Sequence, residues 1–158
     1  MRVGIGYDAH KLADGVPLVL GGVEIPWPRG LEAHSDGDVV LHAIMDAILG
    51  AAALGDIGAH FPDKDPIYKG ISSLCLLAEV SNKAGREGYR VNNVDCTVVA
   101  QRPRIQPHTQ AMRTKISAAL GVTEERVNVK ATTTEHMGFT GREEGIACFA
   151  VCSLETGA

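Results

Sequence analysis

The stretch "VGIGYDAHKL", residues 3–12, supports two incompatible folds. Gly4, Gly6 and Ala9 fit the glycine pattern of a dinucleotide-binding turn. Asp8 and His10 fit instead a strand carrying two metal-ligating side chains on one face, because side chains at i and i+2 point the same way. The next residues along the chain decide between the two. A dinucleotide turn opens straight into a helix whose N-terminus receives the pyrophosphate. Residues 11–27 read "KLADGVPLVLGGVEIPW", and Gly15, Pro17, Gly21, Gly22 and Pro26 predict a loop and a hairpin turning at Gly21-Gly22. Residues 2–10 therefore read as one extended strand with Asp8 and His10 side by side.

The rest of the chain supplies context for such a strand. Its 158 residues suit one catalytic domain, 1–158, and no repeat, linker or low-complexity segment divides them. Aromatic residues make up only 4%, so the core must be built from Val, Ile, Leu, Ala and Cys. A formal charge of −4 argues against a nucleic-acid or acidic-membrane binder. The start, "MRVGIGYD", lacks the apolar region of a secretory signal, and no apolar run is long enough to span a bilayer. Cys75, Cys96, Cys148 and Cys152 form no CxxC pair and read as buried free thiols, in keeping with a cytoplasmic location.

Residues 37–53 carry Leu41, Ile44, Met45 and Ile48 at helical spacing, with Ser35 or Asp36 as N-cap. Residues 54–70, rich in Gly, Pro and Asp, read as a long functional loop. Helices are predicted over 72–86 and 107–120, the latter ended by Gly121, and strands over 93–100, 126–134 and 145–155. This order predicts an α+β sandwich with a mixed four-stranded sheet and helices on one face. In the last strand Ile146, Cys148, Ala150, Cys152 and Leu154 make one apolar face, and Ala147, Phe149 and Val151 the other. A strand apolar on both faces is covered on both. Helices cover one side, and a partner subunit is the natural cover for the other.

A third metal ligand is available in His42, on the first helix, with Asp38 and Asp46 one turn away on either side to orient its imidazole. Asp8, His10 and His42 give two imidazoles and a carboxylate, a donor set that suits zinc and leaves a fourth position for substrate. Ser35, just before that helix, reads as a phosphate contact or as a cap. In "KATTTEHMGFTGR", residues 130–142, Thr132, Thr133 and Thr134 are ordinary strand residues. With Glu135 and Arg142 they also make a phosphate and Mg²⁺ environment. The loop "AQRPRIQP" offers backbone groups to a base.

Taken together, "GYDAH", "GGVEIP", "AHSDGDVVLHAIMDAILGAAALGDIG", "FPD", "NVD", "PHTQAMR" and "VKATTTEHMGFTGREEGIA" run from end to end of the chain. In these the chain resembles the 2-C-methyl-D-erythritol 2,4-cyclodiphosphate synthase family of the non-mevalonate isoprenoid pathway. The resemblance implies a lyase that cyclises 4-diphosphocytidyl-2-C-methyl-D-erythritol 2-phosphate and releases CMP. It implies zinc, or manganese, on Asp8, His10 and His42, and Mg²⁺ bridging the substrate diphosphate and Glu135. His34 and Thr133 match transition-state stabilisers. Ser35, Asp56, Gly58, Phe61, Asp63 and Asp65 match contacts to phosphate, ribose and erythritol. Ala100, Arg104, Ile105, Ala131 and Thr132 match the cytidine pocket, with Arg104 where relatives often carry Lys. Phe139 and Arg142 match a central cavity that in some relatives takes isoprenoid diphosphates. The resemblance also implies a homotrimer, its sheets packed around a central core and its active sites shared between subunits.

Two other readings use the same residues. A zinc-dependent phosphohydrolase acting on a nucleotide-linked substrate would place water in the open position. A binding domain with a structural metal would need a fourth protein ligand, for which His60 and His108 are the spare histidines.

Overall fold

The computed structural model describes residues 1–157. Strand β1 (Arg2–Asp14) opens the chain, followed by the short strands β2 (Leu18–Leu20), β3 (Val23–Ile25) and β4 (Arg29–Leu31). Helix α1 (Val39–Ala52) comes next, then a short turn of helix α2 (Ile57–His60), helix α3 (Ser73–Arg86) and strand β5 (Tyr89–Val99). Helix α4 (Thr109–Leu120), strand β6 (Val127–Thr132), a short helix α5 (Gly138–Gly141) and strand β7 (Gly145–Thr156) complete the chain. β2 and β3 pair as the hairpin turning at Gly21-Gly22, both at positive φ as the tight turn demands.

The α+β class holds, but the main sheet has five strands rather than four, in the order β4-β1-β7-β5-β6. β5 and β6 are parallel and the other pairs antiparallel, so the sheet is mixed. The fifth strand arises because β1 outruns its partner. Its pairing with β7 ends at Lys11↔Gly145, and its last residues pair instead with β4 at Leu12↔Leu31. The three-residue β4 is too short to show a period-2 pattern, so the sequence carries no signal for it.

Alternation along β1 decides what each face does. Gly4, Gly6, Asp8 and His10 face α1, where they neighbour Cys152, Ala150, Cys148 and Ile146 of β7 in register. Side chains at Gly4 and Gly6 would run into the backbone oxygens of Ala47 and Ala43 on α1. Those glycines therefore exist to let a helix lie close on a strand. Around that contact Ile44, Met45, Ile48, Leu77, Met112 and Ile116 fill the core. The opposite face carries Val3, Ile5, Tyr7, Phe149 and Val151, all exposed, with the Tyr7 and Phe149 rings in tilted contact at 4.8 Å between centroids.

Several boundaries differ from the sequence reading for identifiable reasons. Asp38, not Ser35 or Asp36, caps α1: its carboxylate accepts from Leu41 N at 3.1 Å and from Gly21 N and Gly22 N at 2.9 and 2.7 Å. The 54–70 stretch is not structureless. Asp56 and Asp65 cap α2 and a single 3₁₀ turn over Pro66–Tyr68. Of the four thiols three are buried, while Cys75 is exposed on α3. No helix among the described residues is long and apolar enough to cross a membrane.

Candidate metal centre

Three side chains from two elements converge beneath the N-terminal half of α1. β1 supplies Asp8 and His10 through its two-residue period, and α1 supplies His42 from its first turn. Asp8 Oδ2 lies 2.8 Å from His10 Nε2 and 3.0 Å from His42 Nδ1, and the two imidazole nitrogens stand 3.1 Å apart. Corners of a tetrahedral zinc site stand about 3.3 Å apart for ligands at about 2.0 Å, so this triangle fits an ion after a slight opening. Asp8, His10 and His42 are the only such cluster among the described residues. His60 instead hydrogen-bonds the Leu54 carbonyl oxygen at 2.8 Å, and neither it nor His108 joins the cluster as a fourth ligand.

The electrostatics fit a cation. Burial works to raise the Asp8 carboxyl, but hydrogen bonds and charge from His10 and His42 outweigh it and hold the group well below the usual carboxylate range. Burial works against a charged His42, and the hydrogen bond and charge of Asp8, joined by Asp38 and Asp36, overcome it and raise its pKa.

The partners expected for His42 are corrected by the structure. Asp38 is consumed as the cap of α1, and Asp46 accepts from Ile57 N at 2.8 Å, which anchors α2 to α1. Neither carboxylate bonds the imidazole. His42 Nε2 instead meets two hydroxyls, Ser73 Oγ at 3.1 Å and Ser35 Oγ at 3.2 Å.

Above the triangle lies a cleft of about 370 Å³ lined by Asp8, His10 and His42, and further by His34, Ser35, Ile57, Gly58, Phe61, Asp63 and Tyr68. His34 Nε2 is buried here without a protein partner, so it is free to serve a guest molecule. Asp56 and Asp65 lie outside the lining and act on the same wall as the caps of its helical turns. Phe61 and Tyr68 meet edge to face at 5.4 Å and hold that wall together.

A second cleft, of about 540 Å³, lies at the end of β5 and β6 and is lined by Ala100, Arg104, Ile105, Ala131, Thr132, Thr133 and Glu135, together with Trp27. Glu135 and the following His136 hold left-handed backbone conformations, at φ of 52° and 62°. Thr134 Oγ1 braces the turn against Met137 O at 2.5 Å and Thr140 Oγ1 at 2.9 Å. Trp27 escapes the sequence reading; being the only tryptophan in a chain with few aromatics is its one signal. Phe139 lines a third, shallower hollow with Ala9, His10, Lys11, Glu144 and Gly145, and Arg142 pairs with Glu144 at 3.0 Å. Within one chain the metal cleft and the Trp27 cleft share no residue.

Comparison with known proteins places this arrangement. The model of the YgbB family matches residues 1–155. A 2-C-methyl-D-erythritol 2,4-cyclodiphosphate synthase of Desulforamulus reducens is 62% identical over 157 residues, 99% of this chain and 100% of the relative. Among solved structures, the bifunctional IspDF of Campylobacter jejuni superposes with a TM-score of 0.95 at 45% identity, covering 98% of this chain and 42% of that longer one. The CDP complex of IspF from Plasmodium falciparum gives a TM-score of 0.86 at 35% identity over 99% of this chain and 97% of the other. With its Asp-His-His cluster in place and a relative matched over its full length, the chain belongs to the YgbB family of 2-C-methyl-D-erythritol 2,4-cyclodiphosphate synthases.

Proposed function

We propose that this protein converts 4-diphosphocytidyl-2-C-methyl-D-erythritol 2-phosphate to 2-C-methyl-D-erythritol 2,4-cyclodiphosphate and CMP. The observation that carries the reading is the three-ligand triangle of Asp8, His10 and His42 on the floor of an open cleft. Nucleophile and electrophile belong to one substrate: an oxygen of its 2-phosphate attacks the β-phosphorus, and the bond to the bridging oxygen of CMP breaks. The protein supplies no nucleophile. Its task is to fold the substrate so that the three atoms fall in line and to neutralise charge. Zinc or manganese held by Asp8, His10 and His42, with Mg²⁺ at Glu135, would supply Lewis-acid screening of the phosphate oxygens.

The chain's own residues divide the remaining work. His34, which lines the metal cleft and has an unpartnered buried nitrogen, serves as a donor to phosphate. Ser35 presents its hydroxyl there, beside backbone and side chains of Gly58, Phe61 and Asp63 that shape the erythritol and ribose end. Thr133 and Glu135 take the diphosphate from the Trp27 cleft, whose Ala100, Arg104, Ile105, Ala131 and Thr132 form the cytidine pocket.

The two clefts share no lining residue within one chain, which suits a guest held between two chains. The exposed apolar face of Val3, Ile5, Tyr7, Phe149 and Val151 supplies the surface for assembly. We read the working unit as a cytoplasmic homotrimer, with Phe139 and Arg142 toward its central cavity. Phosphorus NMR of the protein incubated with the cytidyl substrate tests the function. Cyclic diphosphate with equimolar CMP is the expected result, whereas release of inorganic phosphate would favour the phosphohydrolase reading.

A further inference from the structure

His42 can hold a metal through Nδ1 only if that nitrogen carries a lone pair and Nε2 carries the proton. The surroundings of Nε2 dictate this choice through a third residue. Ser73 Oγ donates to Asp36 Oδ1 at 2.6 Å, and the carboxylate has no proton to return. Having spent its only hydrogen, Ser73 Oγ can act toward His42 Nε2, 3.1 Å away, solely as an acceptor. Nε2 therefore keeps a proton, and Nδ1, which donates to Asp8 Oδ2 at 3.0 Å when no metal is bound, is the nitrogen whose proton a metal would displace.

Asp36 is itself pinned. Its other oxygen accepts from Ser73 N at 2.9 Å, and Asp38 N donates to Oδ1 at 3.2 Å. The backbone contact also explains an oddity of α3, whose own N-cap residue, Ser72, makes no side-chain cap bond. Asp36, from the segment before α1, caps α3 in its place and fixes the Ser73 hydroxyl as it does so. Ser73 is fully buried and is not among the residues lining the metal cleft. Ser35, the other hydroxyl near Nε2, does line it. The two serines thus divide: one faces the guest, the other faces only the ligand.

The geometry points to Asp36 and Ser73 as positioning residues that hold the His42 ring through Nε2 and so leave Nδ1 for the metal. The inference rests on the metal reading of the site and concerns ligand preparation, not chemistry on the substrate. Partners of this kind behind a metal-bound imidazole typically govern metal affinity by about tenfold to a hundredfold.

The test needs no substrate. In zinc-loaded wild-type protein carrying ¹⁵N-histidine, long-range proton–nitrogen correlation should show His42 bound through Nδ1 with a proton kept on Nε2. Ser73→Ala should weaken zinc binding, measured by chelator competition, about tenfold to a hundredfold. Ser73→Thr, which keeps the hydroxyl, should restore the affinity. Asp36→Asn cannot accept from all three of its donors and should weaken zinc binding like Ser73→Ala. A zinc-loaded wild-type His42 bound through Nε2 overturns the proposal even if the variants fail to fold. Unchanged zinc affinity in folded Ser73→Ala overturns it too. A wild-type protein that binds no zinc refutes the metal reading and this inference with it, whereas tight zinc binding that survives Ser73→Ala refutes the inference alone.

Discussion

Gly6 of β1 lies directly against the carbonyl oxygen of Ala43 on α1, with no room for even a methyl group between them. One residue before Ala43 on α1, and two beyond Gly6 on β1, His42 and Asp8 come within 3.0 Å. The close approach of strand and helix is thus what brings the ligands from the two elements together. Gly6→Ala should push the elements apart and cost about 3 kcal/mol or more of stability, as overpacking against a rigid backbone does. Urea unfolding of the metal-free protein checks the stability, and chelator competition should show weakened zinc binding in the same variant.

Removing a ligand should separate fold from function. Asp8→Ala and His42→Ala are expected to remain folded, to lose stoichiometric zinc, and to lose turnover by about a hundredfold or more, in line with the loss of a charge-stabilising group. Metal analysis and circular dichroism on the same samples decide it. Full zinc occupancy in either variant would sink the assignment.

The pH dependence comes from the directions of two shifts. Asp8 is held below its ordinary value, so its contribution is present above the unfolded value near about 3.9 and is lost as pH falls through the folded one. His42 is raised, so its contribution is full below about 6.5 and is lost as pH rises through its folded value. In metal-free protein the pair therefore stabilises most between about pH 4 and 6.5. Zinc competes with the proton on His42, so its affinity should climb as pH rises through that elevated pKa. Thermal melts with and without zinc across about pH 5 to 9 should diverge increasingly toward the alkaline side. A constant gap would contradict the ligand assignment.

Thiol reactivity should be confined to one residue. Cys75 is exposed, burial pushes Cys152 up to about 12, and a hydrogen bond with Cys96 together with burial raises Cys148 well above the ordinary thiol value. A chromogenic disulfide reagent should titrate one thiol per chain in the native protein and all four after denaturation. Rapid reaction of more than one would show that the sheet side of the core is open to solvent.

Mixing variants tests whether sites are shared. His42→Ala damages the metal cleft and Thr133→Ala the Trp27 cleft, and reassembly of the two together at random should restore about one quarter of the sites to wild-type composition. If each chain carried a complete site, no mixture would exceed the mean of its components. Full activity in a monomer would end the proposal.

The ligand triad was legible in the sequence because its spacing obeys local periods. Two residues on a strand put Asp8 and His10 on one face, and helical spacing of apolar residues placed His42 near the start of a helix. The main helices, the Gly21-Gly22 hairpin and the Gly121 stop were readable for the same reason, since each is encoded within a few neighbouring residues. Tertiary structure decided what depends on distant pairs. The fifth strand exists only because β1 outruns β7 and meets β4. Asp38 looked like a partner for His42, but the amides of Gly21 and Gly22 claimed it. The hydroxyl that took its place, Ser73, lies 31 residues from His42, and the carboxylate behind it, Asp36, lies 37 residues from Ser73. No local period links such positions; only the packing of α3 against α1 brings them within hydrogen-bond reach.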